Sequence, residues 1–207
     1  MRKSVAIVNR KGGVGKTTLA VILAEQALLK GVTAVCVDLD PQENFIDSLS
    51  FFAGRKENER YLDKLIPCGI HDKVEIPDDG DILIVIDCPP ALEDATMKGM
   101  KLADKILVPV MSDIFSILNL EVVFKQAEDC GKSRNDISLV TIGYKQGGAT
   151  LPSSIRSNID KRNYKVAAEL PVHKTIAVNI ASGKKWSNGI DMKFRRPFFE
   201  LYNDLTA

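Results

Sequence analysis

The chain has 207 residues, 45% of them hydrophobic and 27% charged, and a formal net charge of +1. That size and mix predict one globular domain over residues 1–207, long enough to bury a sizeable core. The four cysteines, Cys36, Cys68, Cys88 and Cys130, form no Cys-x-x-Cys pair, which argues against a zinc site, a dithiol redox centre and a disulfide framework. No apolar run approaches the roughly 20 residues that span a bilayer, and the opening Met1 to Asn9 is too short for a secretory signal. A soluble, cytoplasmic protein with reduced thiols is expected.

Taken in chain order, residues 4–9 form a short apolar, β-branched run, a glycine-rich turn follows, and apolar residues then recur at helical spacing from Thr17 to Lys30. The same alternation predicts strands over 33–38, 82–87, 105–110 and 137–142, with helix-like segments between them. Near-continuous apolar strands belong to a sheet covered on both faces. The fold class is therefore α/β: a doubly wound, mostly parallel sheet flanked by helices, with ligands expected at the carboxyl ends of its strands. Between residues 53 and 81 the pattern weakens into charged and turn-forming residues and predicts a surface excursion. At the other end, Pro197 is placed to start a terminal helix carrying Phe198, Leu201 and Tyr202. Glu200 and Asp204 make that helix a core element rather than a lipid anchor.

The turn after the first strand, Arg10-Lys11-Gly12-Gly13-Val14-Gly15-Lys16-Thr17-Thr18, has the chemistry of a phosphate loop. Glycines let the backbone turn with positive φ and press its amides against phosphate oxygens, Lys16 supplies a charge for the β- and γ-phosphates, and the Thr17 hydroxyl is placed for Mg2+. The helix that begins there points its positive end at the anion. Asp87 closes a strand and suits a carboxylate beside the nucleotide's metal. Asp38 and Asp40, closing another, are candidates for orienting the attacking water.

These residues carry a family resemblance. Lys11-Gly12-Gly13-Val14-Gly15-Lys16-Thr17-Thr18 resembles the deviant Walker A box of the ParA/MinD group of P-loop ATPases, Asp38-Leu39-Asp40-Pro41-Gln42 its second motif, and Ile86-Asp87-Cys88-Pro89-Pro90 its Walker B region. Ala103 to Val110 resembles the strand that follows in ParA proteins, and Leu170-Pro171 with Ala181-Ser182-Gly183-Lys184 is loosely similar to a later ParA segment. Arg10 stands where the general box has glycine, a departure the group tolerates. The resemblance implies a dimer sandwiching two ATP molecules, with Lys11 reaching the partner's nucleotide, Lys16 holding its own, Asp40 positioning water and Asp38 supporting the metal with Thr17 and Asp87. Residues 11–18 would bind the nucleotide, and Lys11, Lys16 and Asp40 would be catalytic.

Charge separates the two ends of the chain: residues 1–144 carry 17 basic and 22 acidic side chains, residues 145–196 carry 11 basic and 3 acidic. Such asymmetry predicts a basic face for a polyanion. Lys184, Lys185, Lys193, Arg195 and Arg196 form the dense part of it, preceded by Arg156, Lys161, Arg162 and Lys165. Within the resemblance this fits the short, single-domain ParA form, whose ATP dimer binds DNA nonspecifically near the nucleoid and is released when a ParB-like partner stimulates hydrolysis. The alternatives are a MinD-type membrane-positioning ATPase, a metallocluster carrier, which would need paired cysteines, and a small-molecule ligase such as the dethiobiotin synthetase type.

Overall fold

The computed structural model describes residues 1–73, 76–91, 93–111, 120–143 and 152–207. Seven strands, β1 (Arg2–Ile7), β2 (Thr33–Asp38), β3 (Leu65–Cys68), β4 (Ile82–Asp87), β5 (Lys105–Met111), β6 (Ile137–Gly143) and β7 (Val166–Pro171), lie in the order β3-β2-β4-β1-β5-β6-β7. All six pairings are parallel, so the sheet is fully rather than mostly parallel. The helices described are α1 (Lys16–Leu29), α2 (Asn44–Ala53), α3 (Asp94–Leu102), α4 (Leu120–Asp129), α5 (Ser153–Lys161), α6 (Lys174–Ala181) and α7 (Met192–Thr206).

Side chains alternate along each strand, and both faces are covered. Val5 and Ile7 pack with α1, α2, α6 and α7 on one face, while Ala6 and Val8 pack with α3, α4 and α5 on the other. This explains why the central strands read as unbroken apolar runs. It also puts β1, the strand that feeds the phosphate loop, at the centre of the sheet.

Three sequence expectations change. Residues 53–81 are not only a surface excursion: they contain a 3-10 helix over Lys56–Lys64 that buries Asn58 and Tyr61, and then β3. Four residues with Pro67 among them give little strand signal, but Pro67 is tolerated because β3 is an edge. β7 is likewise absent from the strands that the pattern predicts, since Val166-Ala167-Ala168-Glu169 is mostly half-buried and poor in β-branched residues. Finally, α7 starts at Met192, not at Pro197. Pro197 removes one helical N–H, normally about 3 kcal/mol of disruption, yet the helix continues because Phe198, Leu201 and Tyr202 are buried against the core.

Candidate functional site

β1 delivers the chain to its own carboxyl end, and the loop there is anchored from the side. Asn9, 3% exposed, donates from Nδ2 to the Pro109 carbonyl of β5 at 2.6 Å, and its Oδ1 accepts the Lys11 N–H at 2.9 Å. Gly13 and Gly15 adopt φ of 73° and 88°, conformations that exclude most other residues. α1 then starts at Lys16 with no acidic residue in its first turn, so the positive end of its dipole is left for an anion. Lys16 is buried and its ammonium reaches back to the Lys11 carbonyl at 3.4 Å. Burial pulls the Lys16 pKa down, while Asp87 and Asp40 push it up.

The carboxylates meet this loop because β2, β4 and β1 are adjacent and in register, with Asp87 opposite both Asp38 and Ile7. The Thr17 hydroxyl donates to Asp87 Oδ2 at 2.6 Å, while the buried Asp87 Oδ1 has no partner. Burial, with the nearby Asp38 charge, pushes Asp87 up to about 7 against the Thr17 hydrogen bond and Lys16. A threonine hydroxyl beside an unpaired buried carboxylate oxygen fits a magnesium ion. Among the described residues no group of three or more His, Cys, Asp or Glu side chains could hold a metal, so the other ligands of such an ion would be phosphate and water.

Asp38 is spent differently. Its Oδ1 accepts the Asp40 N–H at 3.1 Å, and its Oδ2 accepts the Phe45 and Ile46 N–H groups at 2.9 and 3.3 Å. Phe45 and Ile46 lie in the first turn of α2, whose own preceding residue, Glu43, offers no side-chain cap. Asp38 thus caps α2 from the strand end and shapes the turn that presents Asp40. Asp40, half-buried, faces a cleft of about 670 Å3 shared with Gly12, Lys16, Thr17 and Pro89.

A second recess, about 250 Å3 and largely apolar, opens on the far side of the loop between Gly15, Thr18, Ile142, Leu170, Pro171 and Val172. Ile142 comes from the end of β6, and Leu170, Pro171 and Val172 come from the end of β7 and just beyond it. Sequence reasoning missed them as site residues; the only signal was Leu170-Pro171, which is where β7 ends.

The basic residues prove less uniform than their spacing suggests. Lys184 and Lys185 follow α6, and Lys193, Arg195 and Arg196 sit in the first turns of α7; Lys184, Lys193 and Arg196 are exposed. Lys185 and Arg195 are half-buried and line one pocket of about 560 Å3. Arg196 pairs with Glu200 at 2.7 Å. Farther back, Arg156 pairs with Glu169 and Arg162 with Glu121, so these two arginines are already engaged on α5 and just beyond it.

A central strand, a glycine loop and a helix N-terminus, flanked by carboxylates on neighbouring strand ends, define a P-loop nucleotide-binding fold. Comparison with known proteins narrows this. A family model described as an AAA domain matches residues 2–79. The chain is 26% identical over 168 residues to the chromosome-partitioning ATPase Soj of Treponema pallidum, covering 60% of this chain and 63% of that protein. It is 37% identical over 113 residues to the maintenance of carboxysome distribution protein A of Gloeobacter kilaueensis, covering 51% and 47%. Among solved structures, the cell division ATPase MinD of Pyrococcus furiosus superposes with a TM-score of 0.75 at 21% identity, covering 99% and 98% of the two chains. The chain is similar in sequence to ATPases named Soj and ParA for chromosome partitioning, and it shares the fold of MinD. It spans about half to just under two thirds of the length of the curated relatives it matches.

Proposed function

We propose that this protein is a slow, switch-type ATPase: residues 10–18 bind ATP with Mg2+, two subunits close on two nucleotides, and the dimer binds DNA without sequence preference. The observation that carries the reading is the convergence of Lys16, Thr17, Asp40 and Asp87 at the ends of three adjacent strands. Lys16 would hold the β- and γ-phosphates, while Thr17 and Asp87 would hold Mg2+, which when bound neutralises charge on the phosphates. Asp40 would orient the attacking water from its side of the cleft. Lys11 would act on the partner's nucleotide, which makes hydrolysis depend on dimerisation. The apolar recess beside Gly15 and Thr18 suits the nucleobase, since it adjoins the loop and offers flat apolar walls.

Lys184, Lys193 and Arg196 supply exposed charge for DNA phosphates, with Lys185 and Arg195 beneath them. In the resulting cycle, ATP assembles a DNA-bound dimer in the cytoplasm, at the nucleoid, and a ParB-like or adaptor protein stimulates hydrolysis and releases it. The relatives named for chromosome partitioning and for carboxysome distribution support a role in positioning cargo. A titration of random-sequence duplex DNA with ATP, ADP or no nucleotide tests the proposal. Tight, salt-sensitive binding with ATP alone is expected, and equal affinity in all three conditions would overturn the switch.

Fold similarity to MinD raises the membrane-positioning alternative. α7 argues against it, because Phe198, Leu201 and Tyr202 are already buried in the core beside α1. Pelleting with anionic liposomes in the presence of ATP would favour the alternative.

A further inference from the structure

The loop between α6 and α7 carries Asn188 followed by Gly189, and Asn188 is the only asparagine of the chain with a glycine after it. Two overlapping turns fold this stretch: the Asn188 N–H donates to the Lys185 carbonyl at 2.9 Å, and the Ile190 N–H donates to the Ser187 carbonyl at 3.2 Å. Between them the Gly189 N–H is left without an acceptor among the described residues. Gly189 takes φ +69°, and open space lies where a Cβ would stand. Both residues are exposed, and the Asn188 side chain makes no hydrogen bond among the described residues.

The surroundings favour loss of the Gly189 amide proton. The Asn188 carbonyl accepts from Nδ2 of the buried Asn179 at 2.8 Å. A hydrogen bond at a peptide oxygen draws electron density from the nitrogen of the same peptide bond, here that of Gly189. Lys185, Arg195 and Asp191 share with Asn188 and Gly189 the lining of the recess of about 560 Å3, so two cations stand there against one carboxylate. The excess cation stabilises an anionic amide and the oxyanion that forms when it attacks a carbonyl carbon.

We infer that Asn188 is a site of spontaneous deamidation in the folded chain. The deprotonated Gly189 nitrogen attacks the Asn188 side-chain carbon; a nitrogen–carbon bond forms, the carbon–NH2 bond breaks, and ammonia leaves with a proton taken from water, giving a succinimide. Water then adds to either imide carbonyl and one carbon–nitrogen bond breaks. The product is an aspartate or an isoaspartate, whose carboxyl proton passes to the ammonia. Only water is consumed. The new carboxylate balances the excess cation of the recess, and in the isoaspartate the main chain is also longer by a methylene. The consequence for DNA rests on the function proposed above: each deamidated loop should hold DNA phosphates less well, irreversibly and in proportion to the age of the protein.

The full chain, kept folded in heavy-oxygen water, is followed by peptide mapping in a mass spectrometer. Labelled oxygen should enter at Asn188 before any other asparagine, and about tenfold faster per pH unit in mild alkali, because the deprotonated nitrogen reacts. Gly189→Ala, whose methyl crowds that nitrogen, should slow labelling at least about tenfold, and Asn188→Gln, which needs a larger ring, should abolish it. Unchanged ATP affinity in both variants shows that each is folded. Asn188→Asp should lower the affinity of the ATP-bound protein for random-sequence DNA at least about threefold at low salt. The inference is overturned if Asn188 stays intact while other asparagines react, if it reacts only in urea-unfolded chain, or if Gly189→Ala reacts at the parental rate. A parent chain that is labelled at Asn188 but does not bind DNA upholds the modification and refutes the DNA reading. Equal DNA binding by the parent and Asn188→Asp overturns the charge effect.

Discussion

The Thr17 hydroxyl donates to Asp87 Oδ2 at 2.6 Å while Asp87 Oδ1 is buried without a partner, so one carboxylate is held in place and left incomplete. Keeping it charged is unfavourable without a cation, as its rise to about 7 indicates. Asp87→Asn should therefore raise the unfolding temperature of the nucleotide-free protein while weakening Mg2+-dependent ATP binding by at least about tenfold. Calorimetric unfolding and nucleotide titration with and without Mg2+ check the two halves. A variant both less stable and fully Mg2+-responsive would remove Asp87 from the site.

Asp38 makes the contrasting case. Three backbone N–H groups occupy its oxygens, two of them from the first turn of α2. Asp38→Ala would leave those donors unsatisfied in a buried place and should cost about 2–4 kcal/mol in urea denaturation. Loss of Mg2+ affinity at unchanged stability would instead support the metal role that the family resemblance implies.

Glu25 sets a pH dependence. It lies on α1, 1% exposed, and accepts the Trp186 N–H at 2.9 Å. Burial raises its pKa from 4.5 to about 8, although the Trp186 hydrogen bond and Lys185 oppose the rise. The folded state binds this proton more tightly than the unfolded state. The group's contribution is thus complete below pH 4.5 and is lost as pH rises through about 8. The slope approaches about 1.4 kcal/mol per pH unit between those limits. Glu25→Gln should flatten that decline and be the more stable protein at pH 8, as measured by urea denaturation across the range. A Gln variant with the parental slope would assign the dependence elsewhere.

The parts of the fold that depend on local pattern were legible. The five central strands are apolar on both faces, and the glycines, Lys16 and Thr17 can be recognised because phosphate chemistry demands them at fixed spacing. Edge elements were not legible. β3 carries Pro67 and β7 is half-buried, so neither shows the pattern that burial on two faces produces. Long-range relationships were equally hidden: nothing in Asp38-Leu39-Asp40 reveals that the first carboxylate caps a helix seven residues on. Such contacts depend on packing between segments far apart in the chain.

The structure also sharpens which basic residues test DNA binding. Lys185 is half-buried, sits 6.0 Å from the Tyr61 ring centre and lies close enough to influence Glu25, so Lys185→Glu would disturb folding as well as the surface. Lys184, Lys193 and Arg196 are exposed. Replacing these three with glutamate should lower affinity for random-sequence DNA by at least about a hundredfold at low salt, with ATP affinity preserved. Unchanged DNA affinity would place the interface on another face.

Gly183 joins α6 to the loop that carries Lys184, and it is constrained twice. Its φ is +67°, and a Cβ there would stand 2.3 Å from the Phe51 carbonyl oxygen of α2. Gly189, in the same loop, has φ +69°, but a Cβ there would meet nothing within 4 Å. The pair separates backbone strain from collision. Gly189→Ala should cost about 1 kcal/mol, the left-handed penalty alone. Gly183→Ala must in addition push α2 and α6 apart, and should cost at least about 3 kcal/mol in urea denaturation. Because that movement carries Lys184 with it, DNA affinity should fall in Gly183→Ala and stay near the parental value in Gly189→Ala. Equal losses of stability in the two would mean that the contact between Gly183 and Phe51 does not hold the loop in place.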